Sequence, residues 1–428
     1  MHFRLSFLLF GSICCYVSAD RVPFFSNDNK QLYLVVESSS NVRDLIKQLS
    51  DNLPQIVQQM TAKHPNWISA YVIYSFDPNT LIRSTKRVTS IEDAQKELQN
   101  VYTQATNAPV TCSRPIVSIL KNVFSLWKPD YDEVLVITSG MPSAASYEEA
   151  INATENWGLR PPRIDLINVV DVMDSCRYSD NTSGLDDYIS SSNGVYMRSY
   201  MRSNSYNALK AITTLLPTRY SPQVRFSAHL DNCLTDFSGT QFAVTTDTDM
   251  HDFYSVLYGD FKKYGFDGPS NRWYHTFADG IQNMWRLSIR PEEASTYNFT
   301  LVSVGLTCRF FTYGDGGVEV FTGFVRDLKN NAEPASIQLW EKESNFVVFK
   351  FIGGQGSFTD ATVTIQDETK SVSTKYDVVK INDELYGIVT PINCGYSERI
   401  FVVVNGFDSK GTRFERRFNT WCIHKPIY

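Results

Sequence analysis

Between Leu32 and about Pro217 the chain alternates short apolar runs with amphipathic segments, and this alternation constrains the fold more than any other feature. Leu32 to Val36, Ile68 to Phe76, Val134 to Thr138 and Ile164 to Val170 are short, nearly continuous apolar stretches, the pattern of strands buried on both faces. Between them, Leu45, Leu49, Leu53, Ile56, Val57 and Met60 recur at three- and four-residue spacings, as do Ile91, Ala94, Leu98 and Val101. Each set offers one apolar helical stripe to a sheet. A third helix from about Pro115 to Trp127 stacks Ile116, Ile119, Leu120, Val123 and Trp127, and Asn204 to Leu216 supplies a last one that Pro217 stops. Strand and helix repeated in this order predict a mostly parallel sheet covered on both faces, a doubly wound, Rossmann-like α/β domain over residues 30–217.

Beyond Pro217 helical periodicity largely disappears. Gln241 to Thr245, Trp285 to Ile289, Tyr297 to Val304, Val318 to Phe324, Phe346 to Ile352 and Ile400 to Asn405 are β-rich and separated by Gly, Asp and Asn turns. Such spacing predicts antiparallel sandwiches, over 218–315 and 316–428, with Gly314-Asp315-Gly316-Gly317 as the turn at their seam. A chain of 428 residues accommodates these three modules, and hydrophobic residues at 43% supply their cores.

His2 and Arg4, the apolar run from Leu5 to Val17 and Val17-Ser18-Ala19 have the three parts of a secretory signal peptide, over residues 1–19, with cleavage expected after Ala19. The run is about 13 residues, short of the ~20 that span a bilayer, so no membrane span is expected. Secretion places Cys112, Cys176, Cys233, Cys308, Cys394 and Cys422 in an oxidising compartment. They fall two per module, so each module can close one bridge, one scheme among the 15 connectivities that six cysteines allow. The last pair has added support: a hairpin from Ile400 to Asn405 into Phe414 to Phe418, turning at Asp408 to Gly411, brings 394 and 422 towards one end. Asn152, Asn181 and Asn298 stand in N-x-[ST] glycosylation sequons. A formal charge of -6 offers no cationic field for nucleic acid.

Glu37-Ser38-Ser39-Ser40-Asn41 stands at the carboxyl end of the first strand, where open α/β sheets place ligand loops. With the long amphipathic helix after it and Val134-Leu-Val-Ile-Thr-Ser-Gly-Met-Pro142, this stretch resembles a von Willebrand factor A domain. The resemblance implies a metal-ion-dependent adhesion site, in which DxSxS on the first loop, a Thr on the second and a late Asp hold Mg²⁺ through oxygen ligands. Here Glu37 replaces the first Asp, Ser39 matches, Asn41 replaces the second Ser, Thr111 is the second-loop candidate and Ser139 replaces the late Asp. The change lowers the charge and fit offered to an ion, so no cofactor, or only weak Mg²⁺ or Ca²⁺ binding, is expected. The competing view has Ser38 to Asn41 cap the first helix and Ser139-Gly140 form a turn. Phe242 to Thr248, Asn283 to Arg290 and Ser295 to Leu301 resemble the β-sandwich that follows the A domain in hemicentins and related secreted invertebrate proteins, and 316–428 an immunoglobulin-type sandwich. The architecture implies a secreted, non-enzymatic adhesion or recognition protein, of matrix or of innate defence, with a protein or glycan ligand.

A secreted hydrolase is the competitor from another class. The chain has no GxSxG, HExxH, P-loop or GxGxxG, and His64, His229, His251, His275 and His424 are dispersed. His251 beside Asp252 and His275 beside Tyr274 are its best bases. Carbohydrate binding through Trp273, Tyr274, Trp285, Trp340 or Trp421 is a further alternative, set against burial of these rings in sandwich cores.

Overall fold

The computed structural model describes residues 30–142 with short gaps, 162–170 and 196–200 with single helical positions around them, the strand backbone between 226 and 316, and 318–423 with short gaps. The first part contains β1 (Lys30–Glu37), α1 (Arg43–Met60), β2 (Ile68–Phe76), β3 (Arg83–Val88), α2 (Ile91–Thr103), β4 (Ser113–Arg114), α3 (Ile116–Leu126), β5 (Glu133–Ser139), β6 (Met141–Pro142), β7 (Arg163–Val170) and β8 (Tyr196–Tyr200). Its main sheet has the order β3-β2-β1-β5-β7-β8. Every pair is parallel except β2 with β3. The order reverses direction at β1, so the loops after β1 and β5 open side by side at the carboxyl edge.

Alternation along β1 sends Leu32, Leu34 and Val36 into one core with the apolar stripes of α1 and α2, joined by Leu209, Ile212 and Leu216. Tyr33 and Val35 enter the other core with α3, Leu185, Tyr188 and Ile189. Both faces are covered, as the doubly wound pattern requires. Positions 209, 212 and 216 are helical, in agreement with the helix expected before Pro217.

Two elements of this sheet were not anticipated. β3 is a polar edge strand whose residues are exposed or half-exposed, and no apolar run marks it. β8 completes the far edge. The expectation that Ser38 to Asn41 cap α1 is corrected: the N-cap is Val42, with no side-chain cap hydrogen bond.

The second part comprises β9 (Phe226–Asp231), β10 (Thr240–Thr245), β11 (Met250–Asp267), β12 (Trp273–Asp279), β13 (Gln282–Ser288) and β14 (Thr296–Gly316). Among the described residues these form one antiparallel sheet, β10-β14-β11-β13-β12 with β9 also on β14, rather than two facing sheets. Gly314, Asp315 and Gly316 are paired with β11, so they are strand and not turn; the sheet changes between Gly316 and Glu319.

The last part comprises β15 (Glu319–Val325), β16 (Leu339–Trp340), β17 (Phe346–Ile352), β18 (Gly356–Gln366), β19 (Ser371–Asp377), β20 (Val379–Lys380), β21 (Tyr386–Gly387), β22 (Arg399–Asp408) and β23 (Arg413–Ile423). They make two sheets, β15-β17-β21-β20 and β16-β23-β22-β18-β19. Val320, Phe324, Val347 and Phe349 of the first sheet and Ala361, Val363, Val402, Val404 and Phe414 of the second share one core. The expected hairpin joins β22 to β23. Its turn is held by Asp408, whose Oδ1 accepts from Lys410 N and Thr412 N, and Gly411 takes the positive φ of 78°. Cys394 and Cys422 form a disulfide with Cα atoms 6.0 Å apart, as the hairpin geometry implied. Cys112, Cys176 and Cys233 lie outside the described residues, as do Asn152, Asn181 and residues 1–19. Cys308 and Asn298 stand on β14, opposite Gly259 and Asp267 of β11.

Two outcomes follow. The bridge closes a separation of 28 residues, so replacing both cysteines by Ser should cost about 3–4 kcal/mol in urea unfolding. Burial pushes the Tyr71 hydroxyl up to about 12, with the Glu92 charge adding to the effect. The unfolded chain releases that proton near pH 10 while the folded chain keeps it, so stability falls as pH rises from about 10 to about 12. Urea midpoints measured across that window should drop, and Tyr71→Phe should remove part of the drop.

Candidate functional site

The carboxyl edge of the sheet is built around Glu37, the last residue of β1. Its side chain is fully buried, as is that of Arg114, at 0% and 2% exposure. A carboxylate in this position is costly unless every lone pair is used. Glu37 Oε2 accepts from Arg114 Nε (3.1 Å), Thr138 Oγ1 (2.7 Å) and the Ser139 backbone N (2.7 Å). Oε1 accepts from Ser139 Oγ (2.6 Å) and Arg114 Nη2 (3.4 Å). The two-donor approach of the guanidinium matches the fork of a carboxylate. Arg114 comes from β4, immediately before Pro115 and α3, and β4 is fixed by parallel pairing with β6 just after Ser139.

The loop above is tied separately. Ser40 N donates to Thr106 O (2.6 Å), Thr106 N to Ser38 O (3.2 Å), and Thr106 Oγ1 to Asp77 Oδ2 (2.7 Å). Asp77 follows β2 and Thr106 follows α2, so three connections converge on the first loop. Asn41 Nδ2 donates to Ser139 Oγ (3.3 Å). Ser39 is buried, and its Oγ has no hydrogen-bond partner.

Four of the five residues expected here, Glu37, Ser39, Asn41 and Ser139, are thus gathered at one edge; Thr111 lies outside the described residues. Ser139 is the last residue of β5 rather than part of a turn, and Gly140 lies outside the described residues. Sequence reasoning missed Arg114, Thr138, Thr106 and Asp77. The one signal for Arg114 was indirect: a Glu ending a strand buried on both faces needs a countercharge, and nothing nearby in sequence supplies it.

The donor set does not fit a divalent ion. Mg²⁺ demands near-octahedral oxygen coordination, whereas both Glu37 oxygens are already engaged and its charge is balanced by Arg114. The unpartnered Ser39 hydroxyl is a feature that would welcome a cation, and a partner regained there is worth about 1–3 kcal/mol. An ion on Glu37 would lie about 5 Å from the guanidinium, and their repulsion is roughly 6–7 kcal/mol at an effective dielectric of 20. Repulsion wins. Among the described residues no group of three or more His, Cys, Asp or Glu is placed to hold a metal.

The enzyme alternative places its bases on the second sheet, His251 on β11 and His275 on β12, where His275 stands opposite Trp285 of β13. Trp273 is in register with Leu287 there, while Trp340 and Trp421, at 8% and 3% exposure, are buried together with Ile423. The last two rings are therefore core, as the competing view of the aromatics held.

No protein-family model matches the chain. Protein irg-7 of Caenorhabditis elegans is 24% identical over 323 residues, which is 72% of this chain and 14% of that protein, so the chain spans a small part of its relative's length. Solved structures similar to the chain include a von Willebrand factor type A protein from Catenulispora acidiphila, at 7% identity and a TM-score of 0.32 over 92% of this chain and 67% of that one. The pilus adhesin SpaC from Lactobacillus rhamnosus GG gives 9% and 0.32 over 92% and 56%. The SpRpn10 VWA domain gives 8% and 0.27 over 40% and 88%. Likenesses at such TM-scores carry no argument; the doubly wound fold rests on strand order and register.

Glu37→Gln would remove the buried carboxylate charge that pairs with the Arg114 guanidinium. The substitution should cost about 3–5 kcal/mol in chemical denaturation.

Proposed function

We propose that the chain is a secreted, non-enzymatic recognition protein: a von Willebrand factor A-type domain over 30–217, a β-rich module over 218–315 built on one antiparallel sheet, and an immunoglobulin-like β-sandwich module over 316–428. Its ligand is an extracellular protein or glycan, of matrix, cell or microbial surface. The observation that carries this reading is the carboxyl edge of the first sheet. There the acidic group is sealed beneath the surface while Ser40 is exposed and Asn41 half-buried above it. An edge of hydroxyls, the Asn41 amide and the half-buried Asp77 carboxylate on fixed backbone suits adaptable hydrogen bonding to a partner, with sites held on loops by a rigid scaffold. Covalent chemistry needs a nucleophile that a substrate can reach. Ser139, bonded to Glu37, is fully buried and out of reach.

The Cys394–Cys422 bridge fits an oxidising compartment. Among the described residues no helix is long and apolar enough to cross a membrane.

The test is a binding screen of the full chain against matrix proteins, microbial surfaces and glycans, repeated with Ser40→Lys and Asn41→Lys. Ser40→Lys changes an exposed group and Asn41→Lys a half-buried one whose bond to Ser139 it removes; both should leave the circular dichroism spectrum intact while weakening binding tenfold or more. Binding that survives both moves recognition away from this edge. Turnover in a hydrolase panel that His275→Ala or His251→Ala abolishes would replace the proposal with the enzyme alternative.

A further inference from the structure

We infer that Arg114 occupies the electrostatic role of a bound divalent cation at this edge, so that the loop geometry is set by folding and is independent of metal. The inference builds on the A-type reading above, but its test measures metal response and not ligand binding, so either can fail without the other.

Three observations carry it. First, Glu37 stands where the resemblance places the leading metal carboxylate, and it receives five donors, two of them from one guanidinium. No oxygen lone pair of that carboxylate remains for a metal without displacing a donor. Second, the same guanidinium supplies the positive charge that the carboxylate requires, at 2% exposure, where exchange with a solvent ion is blocked. Third, the residues that would otherwise need an ion to draw them together are joined directly. Asn41 bonds Ser139, Ser139 bonds Glu37, and the first loop is held by backbone bonds to Thr106. The Ser39 hydroxyl is left as the remnant of a ligand set whose centre is now a side chain.

A metal ion binds reversibly, so its site responds to chelators and to ion concentration. A covalently attached guanidinium does not. It follows that removing Arg114 while keeping Glu37 should create the vacancy that the native protein lacks, with Glu37, Ser39 and Ser139 as oxygen donors.

The experiment follows thermal unfolding of the full secreted chain in EDTA and in millimolar Mn²⁺ or Mg²⁺, for the native protein, Arg114→Gln and the double variant Glu37→Gln/Arg114→Met. The double variant carries neither buried charge, and its own metal response is the baseline subtracted from the others. The native midpoint should not move above that baseline. Arg114→Gln should unfold roughly 10 °C lower in EDTA and recover part of the loss in Mn²⁺. The double variant should lie closer to the native midpoint than Arg114→Gln does. If Arg114→Gln does not fold, the comparison of native protein with the double variant still decides. A saturable Mn²⁺-dependent rise in the native protein that the double variant lacks overturns the inference, as does an Arg114→Gln variant that folds and shows no metal response.

Discussion

A carboxylate at the end of a strand buried on both faces leaves the chain one way to fold around it. Water cannot reach Glu37, so its lone pairs must be met by protein donors, and the donors must arrive from whichever connections open at the same edge. Parallel order supplies them: β5 lies beside β1 and delivers Thr138 and Ser139, while the short β4, paired to β6 beyond Ser139, delivers Arg114. The same logic operates on a smaller scale at the opposite edge, where Glu133 of β5 and Arg163 of β7 stand in register and pair at 2.9 Å. Buried ion pairs of this kind add little net stability against apolar side chains of the same size, yet either charge alone is strongly unfavourable. Their effect is therefore to penalise any register or loop path that separates the partners.

What the amino-acid pattern disclosed, and what it hid, divides along that line. β1, β2, β5 and β7 were legible because burial on both faces leaves a continuous apolar run, and α1, α2 and α3 because burial on one leaves a stripe. β3 leaves neither trace: Arg83 to Val88 lies at an edge, in water on its free side, and its residues record solvent rather than sheet. Ser38 to Asn41 showed another limit. Three serines and an asparagine before a helix have the composition of an N-cap, but the loop spends its polar groups on Thr106 and Ser139, and α1 starts uncapped at Val42. Arg114 lies 77 residues from Glu37, and pairing over that separation is set by topology, which local spacing does not contain.

The carboxyl-terminal region was more legible for the converse reason. Its hairpin and bridge are local, with a two-bond Asp408 turn and a left-handed Gly411 closing 28 residues between the cysteines. The middle sheet was read only in part: Tyr297 to Val304 is a piece of β14, while β9, β11 and β12 were not expected. β11 and β14 run 18 and 21 residues, and both contain glycines that locally resemble turns. In the sheet Gly259 and its neighbours mark register shifts instead, and one side of β14 is divided between β10 and β9. A glycine inside a long strand bends the strand where it would end a short one.

On the proposal made above, the geometry at the edge of the first sheet is set by folding and not by a dissociable ion. A dissociable ion links ligand affinity to ion supply, because every binding event must find the ion in place. In the role proposed for Arg114, a guanidinium fixed by the fold would remove that linkage, and with it control of the site by chelation. It also withdraws the strongest attraction the edge could offer an acidic partner, since the positive charge is buried and already neutralised. Under the proposed recognition role, selectivity would then come from the shape and hydrogen bonding of the loops above Glu37, held by Thr106 and Ser139. Gains from such neutral contacts are modest individually, about 0.5–1.5 kcal/mol for each hydrogen bond. An edge of this composition therefore requires several contacts at once, which favours an extended partner surface over a small ligand.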